Sequence, residues 1–251
     1  MLLTEIDAVN WNAIPTPRPR PRTADARDGA RAERPDPAAG LRALAAAHDL
    51  DAVASAVAAL TSSSLLRGRT GEVLPGAVVA APFLLDIAEQ GHPHARESAV
   101  VLLDGAMRSA PLADFSRFRT TAGHDAPLCC AIAELVRARR DSLAECGRSG
   151  KYLLKASDAH WRFDIREAST ASGDVVALGT LQGGLPAPSS GGELHHDGSV
   201  TAVGAVGVEC PPVDATAEAC LRLSGLAADA ADGGELAGAV LYPAACGGHG
   251  R

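Results

Sequence analysis

Three groupings of side chains have types that could do chemistry. His92 and His94 flank Pro93, His195 and His196 precede Asp197 and Gly198, and Cys129 and Cys130 follow His124. A zinc ion needs several converging donors, and neither cysteine nor carboxylate stands at a usual zinc spacing from His92 and His94, so that pair reads as the start of a helix. His195 and His196 fall on alternate faces of one strand and cannot easily share an ion; with Asp197-Gly198 they read as the flank of a hairpin turn. Cys129 and Cys130 invite a thiolate nucleophile, but neighbours on a helix point about 100° apart and buried cysteines usually pack. The segment ECGRSGKYL is the one candidate for a phosphate-cradling loop, and it has Glu145 where the first glycine should stand and Tyr152 where the magnesium-binding hydroxyl should be. No carboxylate pair, Ser-His-Asp order or nucleotide fingerprint remains. The expectation is therefore a protein without catalysis, cofactor or metal.

What is left is binding. Arg137, Arg139 and Arg140 lie in the run RARRD, which reads first as a solvated helix face and second as a contact for an acidic partner. Trp161 and Arg162 open a strand, where a tryptophan reads first as packing and second as a binding hot spot. These five residues are the candidate partner contacts.

The elements that must position them change character along the chain. Residues 1 to 40 combine an apolar start ending near Trp11 with the run PTPRPRPR, read as an extended arm, solvated or docked through its Trp11 end. From Leu41 the apolar period is helical. LRALAAAHDLDAVASAVAAL predicts two helices split near His48 and Asp49, GEVLPGAVVAAPFLLDIAEQG a third, and PHARESAVVLLDGAMRSA a fourth with Ala99, Leu102, Leu103, Ala106 and Met107 on one face. One further helix is expected from about Asp125 to Cys146. None of these can bury its stripe alone, which is what stacked helix pairs require.

VLPGAVVAAPFLLDIAEQGHPHARESAVVLLDGAM resembles bacterial HEAT-like repeat proteins, whose helix pairs carry a similar "PFLL" segment, a charged turn and a second helix. The resemblance covers roughly residues 41 to 147 and includes Pro82 within a helical pattern. It implies a short solenoid presenting a binding surface.

After KYLLKASDAH the period becomes two. Trp161, Phe163 and Ile165 alternate with Arg162, Asp164 and Arg166, and similar strands follow at DVVALGTL, SVTAVGAVGVE, EACLRLSG and AGAVLYPA, separated by turn-forming residues. Five or more short strands without an intervening helix predict a small closed barrel. Gly179, Leu181, Gly184, Leu185, Gly192 to Leu194, Gly198, Val203, Ala219, Leu221, Leu223, Gly225, Leu236, Gly238, Val240 and Leu241 resemble the spaced glycines and aliphatics of the second domain of elongation factor Tu and related translation GTPases. That domain is a docking module, so the resemblance implies topology rather than activity.

The expected fold is α+β in two domains: an arm (1–40), a HEAT-like helical domain (41–155), a translation-factor-type barrel (156–246) and a flexible tail (247–251). Charge is uneven. Residues 156 to 251 carry four arginines against 12 acidic residues, while the whole chain has a formal net charge of −7. Phosphate recognition draws on lysine and arginine, so nucleic acid is disfavoured for the acidic barrel. Six cysteines without a C-x-x-C pair suit a reducing cytosol, and the acidic start and interrupted apolar runs predict neither export nor a membrane span. The functional expectation is a cytoplasmic adaptor that binds another protein, a basic one such as a nuclease-type toxin fitting best. The alternative is an accessory factor of translation docking through the barrel.

Overall fold

The computed structural model describes residues 2–16, 36–62, 65–67, 71–112, 115–120, 123–212, 217–226 and 236–246. Most of the Pro/Arg run and the 247–251 tail lie outside them. Among the described residues are eight α-helices and a closed six-stranded antiparallel barrel.

Helix α1 (Leu2–Ala8) seats Ile6 in the helical core with no exposed surface, and the Trp11 ring packs on Phe83 at 6.3 Å while its indole N–H donates to the Ile6 carbonyl. The Trp11 end is thus docked. Helix α2 (Pro37–Ala46) begins with Pro37 in its first turn and the Asp36 carboxylate accepting from the Ala38 amide, a cap that satisfies an otherwise orphaned donor. Asp49 does the same for α3 (Leu50–Ser62) by accepting from Ala52. The split expected at His48 and Asp49 is where the chain turns.

A two-residue hairpin, β1 (Leu66–Arg67) with β2 (Glu72–Val73), leads into α4 (Pro75–Gln90), which runs through Pro82. Helix α5 (Pro93–Arg108) buries the predicted face of Ala99, Leu102, Leu103, Ala106 and Met107 against it. A second hairpin, β3 (Arg117–Arg119) with β4 (Asp125–Pro127), precedes α6 (Leu128–Ala138).

The single helix expected from Asp125 to Cys146 is instead α6, then α7 (Arg140–Glu145), then α8 (Gly147–Asp158). Two local features account for the breaks. Arg139 leaves helical geometry at φ −105° and ψ 24°, and Gly147 takes φ +71°, which an L side chain rarely adopts. Gly150 then lets α8 fold back on α7, since a Cβ there would sit 1.9 Å from the Leu143 carbonyl oxygen.

Strands β5 (Arg162–Ala171), β6 (Asp174–Gln182), β7 (Ser190–His196), β8 (Ser199–Cys210), β9 (Glu218–Ser224) and β10 (Val240–Pro243) close in the order β10-β5-β6-β9-β8-β7. Ser172-Gly173 and Asp197-Gly198 turn the two tight hairpins with positive φ at both positions, the twist that right-handed strands need. Trp161, Phe163 and Ile165 all point into the barrel core, with Val175, Ala177, Leu181, Leu221 and Leu223 around them. The chain bulges between Ile165 and Glu167, and opposite it Gly179 lies against β5 so closely that a Cβ would stand 2.1 Å from the Asp164 carbonyl oxygen.

Gly179→Ala should therefore lower stability by about 2 kcal/mol or more, because backbone must shift. Gly173→Ala meets no neighbour and bears only the strain of its positive φ, about 1 kcal/mol. Urea midpoints of the two variants check this; equal losses would contradict the close approach.

Candidate functional site

The groups that could do chemistry gather where α6 meets the barrel. The helical core does not end at the helices: Val240, Tyr242 and Cys246 from β10 and the short 3₁₀ turn after it (Ala244–Cys246) belong to the same apolar cluster as α4, α5 and α6. Glu134 of α6 binds this edge of the barrel through one oxygen, which accepts from the Tyr242 hydroxyl at 3.0 Å and from Arg162 at 3.2 Å. Arg162 also pairs with Asp164 at 2.5 Å. Burial, reinforced by the negative charge of Glu134, pushes the Tyr242 phenol well above its ordinary range, so it stays a donor.

A second contact runs from β3. Arg117 pairs with Glu193 of β7 at 2.8 Å, and its other terminal nitrogen lies 3.3 Å from His195 Nε2. The His195 ring meets Tyr242 edge-on at 5.2 Å. Glu193 is nearly inaccessible, its side chain 4% exposed. Burial works against its charge, but hydrogen bonds with His195 and Arg117 prevail and hold the carboxyl below its ordinary range.

The third contact is a cluster of sulfur and nitrogen. Cys129 and Cys130 stand in the first turn of α6, His160 in the link from α8 to β5, and Cys246 at the end of the 3₁₀ turn after β10. Their three Sγ atoms and one imidazole nitrogen all lie within 4.8 Å of one another. His160 Nδ1 is 3.1 Å from the Cys246 sulfur, and the Cys129 thiol is directed at the Cys246 carbonyl at 3.8 Å. All three thiols are buried and none is in a disulfide. Hydrogen bonds from Cys130 and Cys246 pull the Cys129 thiol well below its ordinary range despite burial; burial pushes Cys130 up, and the bond to Cys129 pushes Cys246 up. Three sulfurs and one imidazole nitrogen converging on one place form a donor set suited to a soft cation.

Arg137 holds this cluster from behind. Its Nη1 donates to the carbonyl of Ser157, in the last turn of α8, at 2.8 Å and to that of His160, in the link after it, at 3.0 Å. Of the other residues singled out in the sequence, Arg139 bridges Asp86 and Glu89 of α4, Arg140 reaches Asp158 at 3.7 Å and stays exposed, Trp161 is buried in the barrel, and Arg162 is bound in the Glu134 contact. His92 and His94 come within 5.4 Å of each other, with His48 edge-on to His92, while His195 joins Arg117 rather than His196. His124 lines a cleft with His195 and His196, away from the cysteines it precedes. His160 and Cys246 carried no signal of their own in the sequence; the one clue was the pair Cys129-Cys130.

Comparison with known proteins returns no matching family model and no matching curated protein.

The Glu193 contact sets a pH dependence. Its folded carboxyl titrates below its unfolded value, so its stabilisation is fully present above the unfolded value, about 4.3, and is lost as pH falls through the folded one. Glu193→Gln should be less stable than the wild type at pH 7 and should lose less on acidification to about pH 3. Urea midpoints at stepped pH measure this, and parallel slopes would contradict it.

Proposed function

We propose that the chain is a non-catalytic, cytoplasmic protein-binding adaptor whose helices form HEAT-like pairs and whose barrel is a docking framework of the translation-factor type. The observation that carries this reading is an uncovered apolar face on α3 and α5. Leu50 is 66% exposed and Val101 64% exposed, and together with Val57 they line one shallow depression. Apolar side chains left exposed together on one face are the kind of surface that a protein contact covers.

Charge supports a basic partner. Asp49, Asp51 and Glu97 are exposed on or beside this face, and His94 is the one described residue of the depression that could carry positive charge. The described arginines of the barrel, Arg162, Arg166 and Arg222, all pair with carboxylates, which leaves them poorly placed to neutralise phosphate. A small basic protein, such as a nuclease-type toxin that this chain would neutralise, fits both features. The pairing of α2 with α3 and of α4 with α5, and the closure of six antiparallel strands into a barrel, are what the two architectural resemblances require.

The test is capture from lysate of the source organism with the full chain and with the double variant Leu50→Asp, Val101→Asp. One basic protein, held in stoichiometric amount after nuclease treatment and lost from the double variant while its thermal unfolding is unchanged, is the expected result. Partners that disappear with nuclease or moderate salt would move the reading to a translation accessory factor; a basic partner still bound by the variant would place the interface elsewhere.

A further inference from the structure

We infer that Cys129, Cys130, His160 and Cys246 form a closed Cys₃His site for one zinc ion, and that this ion fastens the end of the barrel to helix α6. The inference is independent of what the α3 and α5 face binds.

Four donors are what a structural zinc site requires. Zinc takes thiolate sulfur at about 2.3 Å and imidazole nitrogen at about 2.0 Å in tetrahedral geometry, which places the donors about 3.5 to 3.8 Å apart. The four atoms here already lie within 4.8 Å of one another, His160 Nδ1 and Cys246 Sγ at 3.1 Å. Small side-chain rotations bring such a set onto a common centre. The ligand chemistry also selects the metal. Three sulfurs and one imidazole without a carboxylate suit a soft or borderline ion and exclude calcium and magnesium, which need oxygen.

The surroundings resemble a metal site more than a packed core. Three thiols in one buried pocket have one another, the imidazole and the Cys246 carbonyl as their polar partners, an arrangement weaker than the same sulfurs bound to a cation. His160 does not float: Arg137 binds its carbonyl and that of Ser157, fixing the loop that presents Nδ1 to the sulfurs, the role outer partners play around metal ligands. With all four positions taken by protein, the ion has no open site for water, so it would act structurally. Binding displaces the three thiol protons as the sulfurs become thiolates, and the imidazole enters neutral.

Position gives the ion its role. Two ligands come from α6, one from the link that enters the first barrel strand and one from the turn that leaves the last, so a single ion joins the helical layer to the paired first and last strands of the barrel. Metal binding then counts as docking energy between the two.

The test uses the full chain produced in zinc-replete medium and purified under reducing conditions, with metal measured by mass spectrometry. One zinc per chain is expected. X-ray absorption on the unmutated protein should show three sulfurs and one nitrogen around zinc, and cobalt exchanged into the site should give the intense visible bands of a tetrahedral thiolate complex. Cys246→Ser should lose about a third of the thiolate-to-cobalt charge-transfer intensity, or the metal itself. His94→Ala, at the other histidine grouping, should keep it all. Substoichiometric metal in the wild type, an all-oxygen and nitrogen shell, or a disulfide among the three cysteines found by mass under reducing conditions would each overturn the site. The spectra of the unmutated chain decide the question even where Cys246→Ser fails to fold.

Discussion

One oxygen of Glu134 accepts from both the Tyr242 hydroxyl and Arg162, and through it a helix and two barrel strands share a half-buried charge. A carboxylate there must have such partners, since an unpaired charge in that setting would cost several kcal/mol. The requirement reaches outward. Tyr242 can reach Glu134 only when β10 is paired with β5 and β7, and Arg162 only when β5 leaves Trp161 in the right direction. Apolar packing of Val240, Tyr242 and Cys246 with the helical core supplies adhesion that the polar contacts orient. Arg117 with Glu193, and Arg137 with the end of α8, fix the same junction from two other sides.

This junction makes the helices and the barrel less separable than a two-domain description of the chain implies. The helical core incorporates side chains that belong to the barrel by connectivity, so neither part reaches its full burial without the other. The barrel keeps a core of its own around Phe163, Ile165, Leu221 and Leu223.

The sequence made the architecture legible where a local rule governs it. The alternation at Trp161, Phe163 and Ile165 announces a strand because a pleat has period two, Asp197-Gly198 announces its hairpin because both positions need positive φ, and Asp49 marks a helix start because its carboxylate can cap. The breaks after α6 were illegible because the apolar stripe continues through Leu143, and the local geometry of Arg139 and Gly147 overrides it. The candidate site was illegible for a different reason. Cys129, His160 and Cys246 are brought together by tertiary folding alone, so no spacing rule links them. Arg137 reads as part of a charged run because the carbonyls that receive it belong to the last turn of α8 and the link after it, 20 and 23 residues onward.

Strand β10 is the last of the six in chain order, yet it pairs with β5, the first, as well as with β7. Closure of the barrel thus joins residues such as Leu241 and Phe163 that are far apart along the chain, a contact whose loop-closure entropy must be overcome before any pairing repays it. During synthesis the helices emerge first, but they leave the ribosome with a vacancy where Val240, Tyr242 and Cys246 belong. For that interval the nascent protein exposes the apolar surface of α6 and the unpaired edge of β5, and this window is when chaperones would matter most to it.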